Sequence, residues 1–251
     1  MVDTVATVDR RKPTHPVRLA DGLIDPAVEL SEFARLDRNT VAAIVRMGHQ
    51  VELREKEYFV HAGDTERCAL LLRGLVRTVR VDVQGRELTI HWGHPGWIIG
   101  FTTLLIPRAP TTVQAVTRSV VLEFPVTRLR DLAERDTSVM RAIAVFATTR
   151  LREAIDGLVM YAYGDLRSRV QLRLLEAACR VPPPATPLIA PISQEDLARS
   201  VGASRPAVAR VLRQLRDEGL VRSMYRGILI LRPEALAPAR DDAAERRLAG
   251  L

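Results

Sequence analysis

The sequence predicts an α+β chain whose β-rich first half and helical second half are joined by one long helix, and three observations carry that prediction. Between Val51 and Phe124 apolar residues alternate, with Gly or Pro breaks about every 8–12 residues. From 138 to 161 they fall instead at helical spacing, without a proline. Residues 191–231 hold two short capped helical patterns parted by Gly202, followed by two short β runs.

The length of 251 residues admits one large domain or two small ones, and 47% apolar with 27% charged residues excludes a collagenous, wholly disordered or disulfide-scaffold chain. Lys and Arg number 37 against 30 Asp and Glu, a net charge of +7, and only Lys12 and Lys56 are lysines. Such a charge permits an acidic partner, either nucleic acid or a lipid surface. Cys68 and Cys179 lack the clustered spacing of zinc or iron–sulfur ligands, so both are expected as buried free thiols. No apolar run reaches the length of a membrane span, and the N-terminal MVDTVATVDRRKPTHPV lacks a signal peptide's apolar stretch. A cytoplasmic protein without a membrane partner is expected.

In chain order, residues 1–22 lack periodicity and predict a tail. Val28, Leu30, Phe33, Leu36, Val41, Ile44 and Val45 predict two short helices with a break at Asp37-Arg38-Asn39. The period then becomes two: Val51/Leu53, Tyr58/Val60, Leu70/Leu72, Val76 to Val83, Leu88/Ile90/Trp92, Ile98/Ile99, Val113/Ala115 and Val120 to Phe124. Breaks at Ala62-Gly63-Asp64, Arg73-Gly74, Gln84-Gly85, Pro95-Gly96 and Pro107 give the rhythm of an antiparallel β jelly roll over 23–137, with a hairpin turning at Gln84-Gly85. Val139, Ile143, Phe146, Leu151, Ile155 and Leu158 then stripe a helix over 138–163, about 35 Å long. That stripe needs a partner, either the β domain or the same helix of a second subunit. Gly164 and the capping residue Asp165 break the helix, and a further one over 166–180 stops at VPPPATP.

The segment PISQEDLARSVGASRPAVARVLRQLRDEGLVRSMYRGILIL is the most informative. Ser193, with Asp196 three residues on, caps a short helix whose inner face is Leu197, Ala198 and Val201, and Gly202 permits a tight turn. Ser204 caps a second helix that tolerates Pro206 in its first turn, buries Val208, Val211, Leu212 and Leu215, and ends at Gly219. Two β runs on either side of Tyr225-Arg226 add a two-stranded wing, so 164–235 predicts a winged helix-turn-helix, followed by a tail over 236–251. Arg205, Ala209, Arg210 and Arg213 are left facing outward, where Arg pairs guanine O6 and N7 in two places at once. The competing reading is an Arg-rich solvated helix of some other small domain. Charge favours the first: residues 1–164 carry a net +2 and residues 165–251 a net +5.

ISQEDLARSVGASRPAVARVLRQLRDEGLV resembles the DNA-binding motif of the CRP/FNR transcription regulators. The order of a β-roll with HAGD at 61–64, a long helix and then YGDLRSRVQLRLLEAA is similar to theirs as well, so the resemblance covers roughly residues 25–232. It implies a homodimer paired along 138–163, a near-palindromic site on double-stranded DNA and RNA polymerase as a partner. It also implies an effector in the β-roll that acts through a hinge at Tyr163, Gly164 and Asp165. Arg205 and Arg210 match the family's base-reading arginines, and Gln194, Ser204 and Arg226 match phosphate-contacting positions. Ala207 and Arg213 complete the expected DNA-facing set. Where the cyclic-AMP receptor has a glutamate that accepts from cytosine N4, this chain has Pro206, so the half-site should differ at that base pair.

The cyclic-nucleotide signatures are absent. Gly100-Phe101-Thr102 stands where the family carries Gly-Glu-Leu for the ribose, and Arg108-Ala-Pro110 or Pro110-Thr-Thr112 stands where the phosphate is held. Ala154 and Ile155 fall where hydroxyls would meet adenine. A space lined by Trp97, Phe101, Leu151, Ala154 and Ile155, with Gly100 and Arg108 at its edge, suits an apolar or aromatic effector, or is filled by the chain's own side chains. No iron–sulfur cluster is expected, because residues 1–67 hold no cysteine. A haem-based gas sensor within the same family is one alternative, since His91 and His94 stand close together, but haem is not expected because the two would point to opposite faces of a strand. A cupin-like metal enzyme with a DNA-binding appendage is the alternative class; the five histidines show no H-x-H spacing, and no Gly-rich phosphate loop, nucleophile elbow or HExxH appears, so no enzyme activity is expected.

Overall fold

Strand β3 (Arg67–Arg73) reads as an unbroken apolar run in its middle because both of its faces are covered. Cys68, Leu70 and Leu72 lie in one apolar cluster, and Ala69 and Leu71 in another. A strand of this kind needs a layer on each side, and that requirement organises the N-terminal half. The structure, a computed structural model, describes residues 25–64, 66–106, 108–178 and 188–236. The expected tail over 1–22, Cys179 and the VPPPATP stretch lie outside the described residues.

Two four-stranded sheets form the β-roll. One has the order β1-β8-β3-β6, from β1 (His49–Leu53), β8 (Ser119–Pro125), β3 and β6 (Ile98–Ile99). The other has the order β2-β7-β4-β5, from β2 (Tyr58–Val60), β7 (Thr112–Ala115), β4 (Val76–Val81) and β5 (Glu87–Gly93). Neighbouring strands in both run antiparallel, as alternation with short turns requires. Leu53, Leu71 and Val121 of the first sheet meet Phe59, Val76 and Val113 of the second in a shared core. The hairpin β4–β5 turns at Asp82 to Arg86, where Gly85 takes φ +77° and the Asp82 carboxylate accepts from the backbone N–H groups of Gln84 and Arg86.

The outer face of the first sheet is covered by helices. The expected pair before β1 is α1 (Pro26–Glu29), a 3-10 turn (Glu32–Arg35) and α2 (Arg38–Met47); the break residue Asp37 is the cap of α2, accepting from Asn39 and Thr40 N–H. After β8 come α3 (Val126–Arg135) and α4 (Thr137–Tyr163). Only the first half of α4 packs inward, through Val139, Ala142, Ile143 and Phe146. Beyond it, Leu151, Ile155, Leu158 and Val159 are more than half exposed.

Gly164 ends α4 in an extended conformation, and a Cβ there would lie 2.5 Å from Met160 O, so the break is built for glycine. Asp165 caps α5 (Leu166–Ala177), accepting from Ser168 N–H at 2.7 Å. Then follow β9 (Leu188–Ala190), α6 (Gln194–Val201), α7 (Arg205–Asp217), β10 (Val221–Met224), β11 (Gly227–Ile230) and α8 (Pro233–Leu236). Two sequence expectations are corrected by this unit. The wing has three strands rather than two, in the order β10-β11-β9, because Leu188–Ala190 pairs with Ile228 to Ile230. Leu236, assigned from sequence to the tail, is fully buried at the end of α8.

The two halves are packed together. Leu75, just before β4, and Trp92 of β5 are buried in the same apolar cluster as α5, α6 and α7. Beside them Arg77, 4% exposed, donates to Gln114 Oε1 and to Glu87 Oε2, and lies 4.0 Å from Asp196 of α6.

Candidate nucleic-acid interface

The C-terminal unit is assembled from capped short helices, each end of which is satisfied locally. Ser193 Oγ accepts from Asp196 N–H at 3.0 Å, and α6 closes at Gly202, whose φ of +61° lets Ala203 N–H return to Ala198 O. Two further groups from the hinge region bind the end of α6: the Tyr161 hydroxyl donates to Ser200 O, and Arg169 Nη1 to Val201 O. The α4–α5 break therefore grips the first helix of the motif directly. Ser204 caps α7, with Ala207 N–H 3.4 Å from its Oγ and Pro206 in the first turn. Val208, Val211, Leu212 and Leu215 are buried, as their spacing requires.

On the opposite face Arg205, Arg210 and Arg213 are exposed, and none makes a hydrogen bond or ion pair with a described residue. Pro206 and Ser204 are exposed beside them, and Ala207, Ala209 and Gln194 are half-buried. Free guanidinium groups along one face of a helix with a capped N-terminus form a surface that can donate to base edges and to phosphate together. The wing is tied to this helix, because Arg216 Nη1 donates to Ser223 Oγ at 2.9 Å. Arg226, at the tip of the wing, takes φ +60° and pairs with Glu55 in the turn between β1 and β2. Of the hinge residues, Tyr163 is exposed, while Gly164 and Asp165 form the break described above.

The expected effector space is not assembled as the sequence predicts. Trp97 and Phe101 are brought together on Phe146, with ring centroids 5.6 and 5.0 Å from it. Leu151 and Ile155 are not part of this group: they are 59% and 52% exposed and face away from the β-roll. The reason is angular. Phe146 and Arg150 share the inward face of α4, and Leu151 stands about 100° further round the helix. Ala154 is half-buried, and Arg108 is exposed with no partner among the described residues. Gly100 is required by the backbone, since its φ is +69° and a Cβ there would lie 2.1 Å from Arg67 O.

Arg150 occupies the centre of that region, and sequence reasoning missed it. Its guanidinium carbon lies 3.9 Å from the Trp97 ring centroid and 5.1 Å from that of Phe146. Nη2 is 2.9 Å from Glu153, whose other oxygen is 3.8 Å from His91 Nδ1. Burial and the nearby Arg150 and Arg173 hold His91 down at about 4, so the ring is neutral near pH 7. His94 Nε2 is 2.6 Å from Glu176 O. Cys68 is a buried free thiol whose pKa burial pushes up to about 12. Among the described residues no group of three or more His, Cys, Asp or Glu is placed to hold a metal ion, and no helix is long and apolar enough to cross a membrane.

A β-roll of two antiparallel sheets, a long helix and a capped helix-turn-helix with its wing define the class: a sensor-type β domain carrying a DNA-binding unit. Comparison with known proteins agrees on both parts. Residues 50–136 match the cyclic nucleotide-binding domain, and residues 168–239 the Crp-like helix-turn-helix domain. Among curated relatives, the cAMP-activated global transcriptional regulator Vfr of Pseudomonas aeruginosa is 27% identical over 69% of this chain and 85% of its own length. The CRP-like cAMP-activated global transcriptional regulator of Mycobacterium tuberculosis is 26% identical over 82% of this chain and 94% of its own. Among solved structures, a CRP-family transcriptional regulator from Thermus thermophilus aligns with a TM-score of 0.61 at 25% identity, covering 74% of this chain and 94% of that one. The chain belongs to the CRP/FNR family and is a transcription regulator that binds DNA through its helix-turn-helix.

Proposed function

We propose that the protein is a homodimeric, cytoplasmic regulator that binds a near-palindromic DNA site and is not activated by cyclic AMP. The observation that carries this is the face of α7, where Arg205, Arg210 and Arg213 stand exposed on a capped helix without partners among the described residues. Arg205 and Arg210 read base edges, while Ser204, Gln194 and Arg226 hold phosphates and set the register; Arg213 adds charge along the groove. Pro206 and Ala207 line the same turn without hydrogen-bonding groups to offer, so the half-site differs at the pair facing Pro206 from that of the cyclic-AMP receptor.

The exposed apolar residues Leu151, Ile155, Leu158 and Val159, spaced four, three and one apart on α4, support pairing of α4 with its copy. That pairing presents two recognition helices about 34 Å apart. Two relatives are cAMP-activated by name. Here the ribose position reads Gly100-Phe101-Thr102, and the adenine positions Ala154 and Ile155 offer no hydroxyl. RNA polymerase is the expected partner on the promoter, by membership of the family. Division of labour follows the predicted boundaries except at the C-terminal end, with a sensor-like β-roll over 23–137, a pairing helix over 138–163 and a DNA unit that runs from 164 to the buried Leu236.

Selection on random duplex DNA tests this reading. The expected result is two inverted half-sites with centres one helical turn apart, enriched without added nucleotide; enrichment of single, unrepeated half-sites would remove the dimer, and no enrichment at all would remove the function.

A further inference from the structure

Arg150 is oddly placed for a residue that serves only to pack. Its side chain is 16% exposed, its Nε is buried without a hydrogen-bond partner among the described residues, and two aromatic rings close on the guanidinium. A leucine or methionine would fill the same space without bringing a charge out of water, so stability alone is a poor account of an arginine here. The site around it is that of a bound cation. Trp97 and Phe146 supply ring faces, Phe101 packs edge-on behind Phe146, Glu153 pairs with Nη2, and Glu32 adds a second carboxylate whose charge reaches the guanidinium. The region expected from sequence to receive an effector thus holds a side chain from α4.

The contacts of this cation continue into the DNA-binding unit. Glu153 connects it to His91 on β5. On the same strand, Ile90 O accepts from Arg173 of α5 at 3.1 Å, and Trp92 lies in the core shared with α5, α6 and α7. Just beyond the strand, His94 is held to Glu176 O of α5. Tyr161, within 5.5 Å of the Arg173 guanidinium, donates to the end of α6. The cation on Trp97 and the helix that positions α7 therefore belong to one packed assembly.

We propose that Arg150 is a built-in ligand of the β-roll: its guanidinium takes the place of a diffusible effector and holds α4, β5 and α5 in the arrangement that binds DNA. This rests on the DNA-binding reading above and deepens its regulation. The full-length protein is then active as made, and removing the guanidinium opens a site for a small cation of the same shape.

The test measures the affinity of the purified full-length protein for its selected site by fluorescence anisotropy. Wild type is expected to bind without any added small molecule and to be unmoved by low-millimolar ethylguanidinium. Arg150→Ala should lose about tenfold or more in affinity, as a fall in the competent population requires, and ethylguanidinium should restore most of it. Arg150→Leu fills the space without charge and should bind DNA as poorly as the alanine variant, with no rescue. Wild-type affinity in either folded variant, or failure of ethylguanidinium to rescue a folded Arg150→Ala protein, overturns the proposal. So does a wild-type protein that binds only after a nucleotide or other metabolite is added, and this last measurement needs no variant to fold. Wild type that binds no DNA under any condition is a different outcome, since it overturns the DNA-binding reading itself.

Discussion

Arg205, Arg210 and Arg213 stand on α7 with their guanidinium groups in solvent and no described partner, whereas Arg77, Arg150 and Arg173 are enclosed between the β-roll and the helices. The enclosed group is engaged internally: Arg77 with Glu87 and Gln114, Arg150 with Glu153 and Trp97, Arg173 with Glu176 and Ile90 O. One side-chain type thus serves two purposes that its surroundings decide. Where carboxylates and ring faces surround it, arginine fixes one domain on another; on an open helix face it remains available to a polyanion. The chain's net charge says nothing of this division, because both groups contribute equally to it.

The two groups should fail differently when truncated. The largest effect belongs to Arg77, since Arg77→Ala leaves Glu87 and Gln114 facing the buried seam without their donor. Breaking a buried pair from one side costs about 3–5 kcal/mol, so the denaturation midpoint should fall sharply. Chemical unfolding followed by circular dichroism measures it; an unchanged midpoint would show that the seam is solvated and carries little. Arg210→Ala should behave in the opposite way, with an unchanged midpoint and a loss of about 1–3 kcal/mol in specific DNA binding, concentrated at one base pair of the half-site. A uniform loss across all sequences would reassign Arg210 from base reading to phosphate contact.

Smaller in effect is His91, on β5 beside Glu153 of α4. Burial, then Arg150 and Arg173, hold its folded pKa at about 4, against the usual 6.5. The unfolded chain therefore takes up a proton that the folded one refuses, so the stability due to neutral His91 is complete above about pH 6.5 and declines as pH falls toward 4. At pH 5.5 the loss is on the order of 1 kcal/mol. His91→Gln should flatten that part of the pH–stability curve, and an equally steep curve in the variant would place the titration elsewhere.

The two regions also differ in how far the sequence discloses them. The helix-turn-helix is legible because each of its features is local: Ser193 and Ser204 cap their own helices, Gly202 turns between them, and the inward stripe runs 208, 211, 212, 215. Its third strand is not legible, since Leu188–Ala190 is only three residues long and gains its structure by pairing with Ile228 to Ile230, some forty residues on. The effector region departs from its sequence reading for a related reason. Val139 through Leu158 read as one stripe, yet the step from Phe146 to Leu151 is five residues and carries the pattern onto a second face. That step is the available signal. Arg150 gives no signal of its own, because a charged residue in the middle of a helix is expected to be solvated, and its enclosure needs Trp97, brought in from a distant strand end, as well as Phe146 of its own helix.

The wing arginine Arg226 lies between the two groups, since it is exposed like those on α7 and paired like those in the seam. Its partner Glu55 is in the β-roll, with side chains 60% exposed for Arg226 and 38% for Glu55. An exposed pair of this kind contributes little to stability, because water screens it and ordering two long side chains opposes it. Its effect on binding is more direct, since a phosphate and Glu55 compete for the same guanidinium. Glu55→Gln should therefore leave the denaturation midpoint where it is and tighten DNA binding by less than tenfold. It should also steepen the dependence of log affinity on log salt by about one unit per half-site, as one more guanidinium becomes free to displace a counterion. Arg226→Ala in the same background should cancel both changes. If Glu55→Gln alters neither affinity nor slope, Arg226 belongs with the seam, and the DNA-facing group ends at α7.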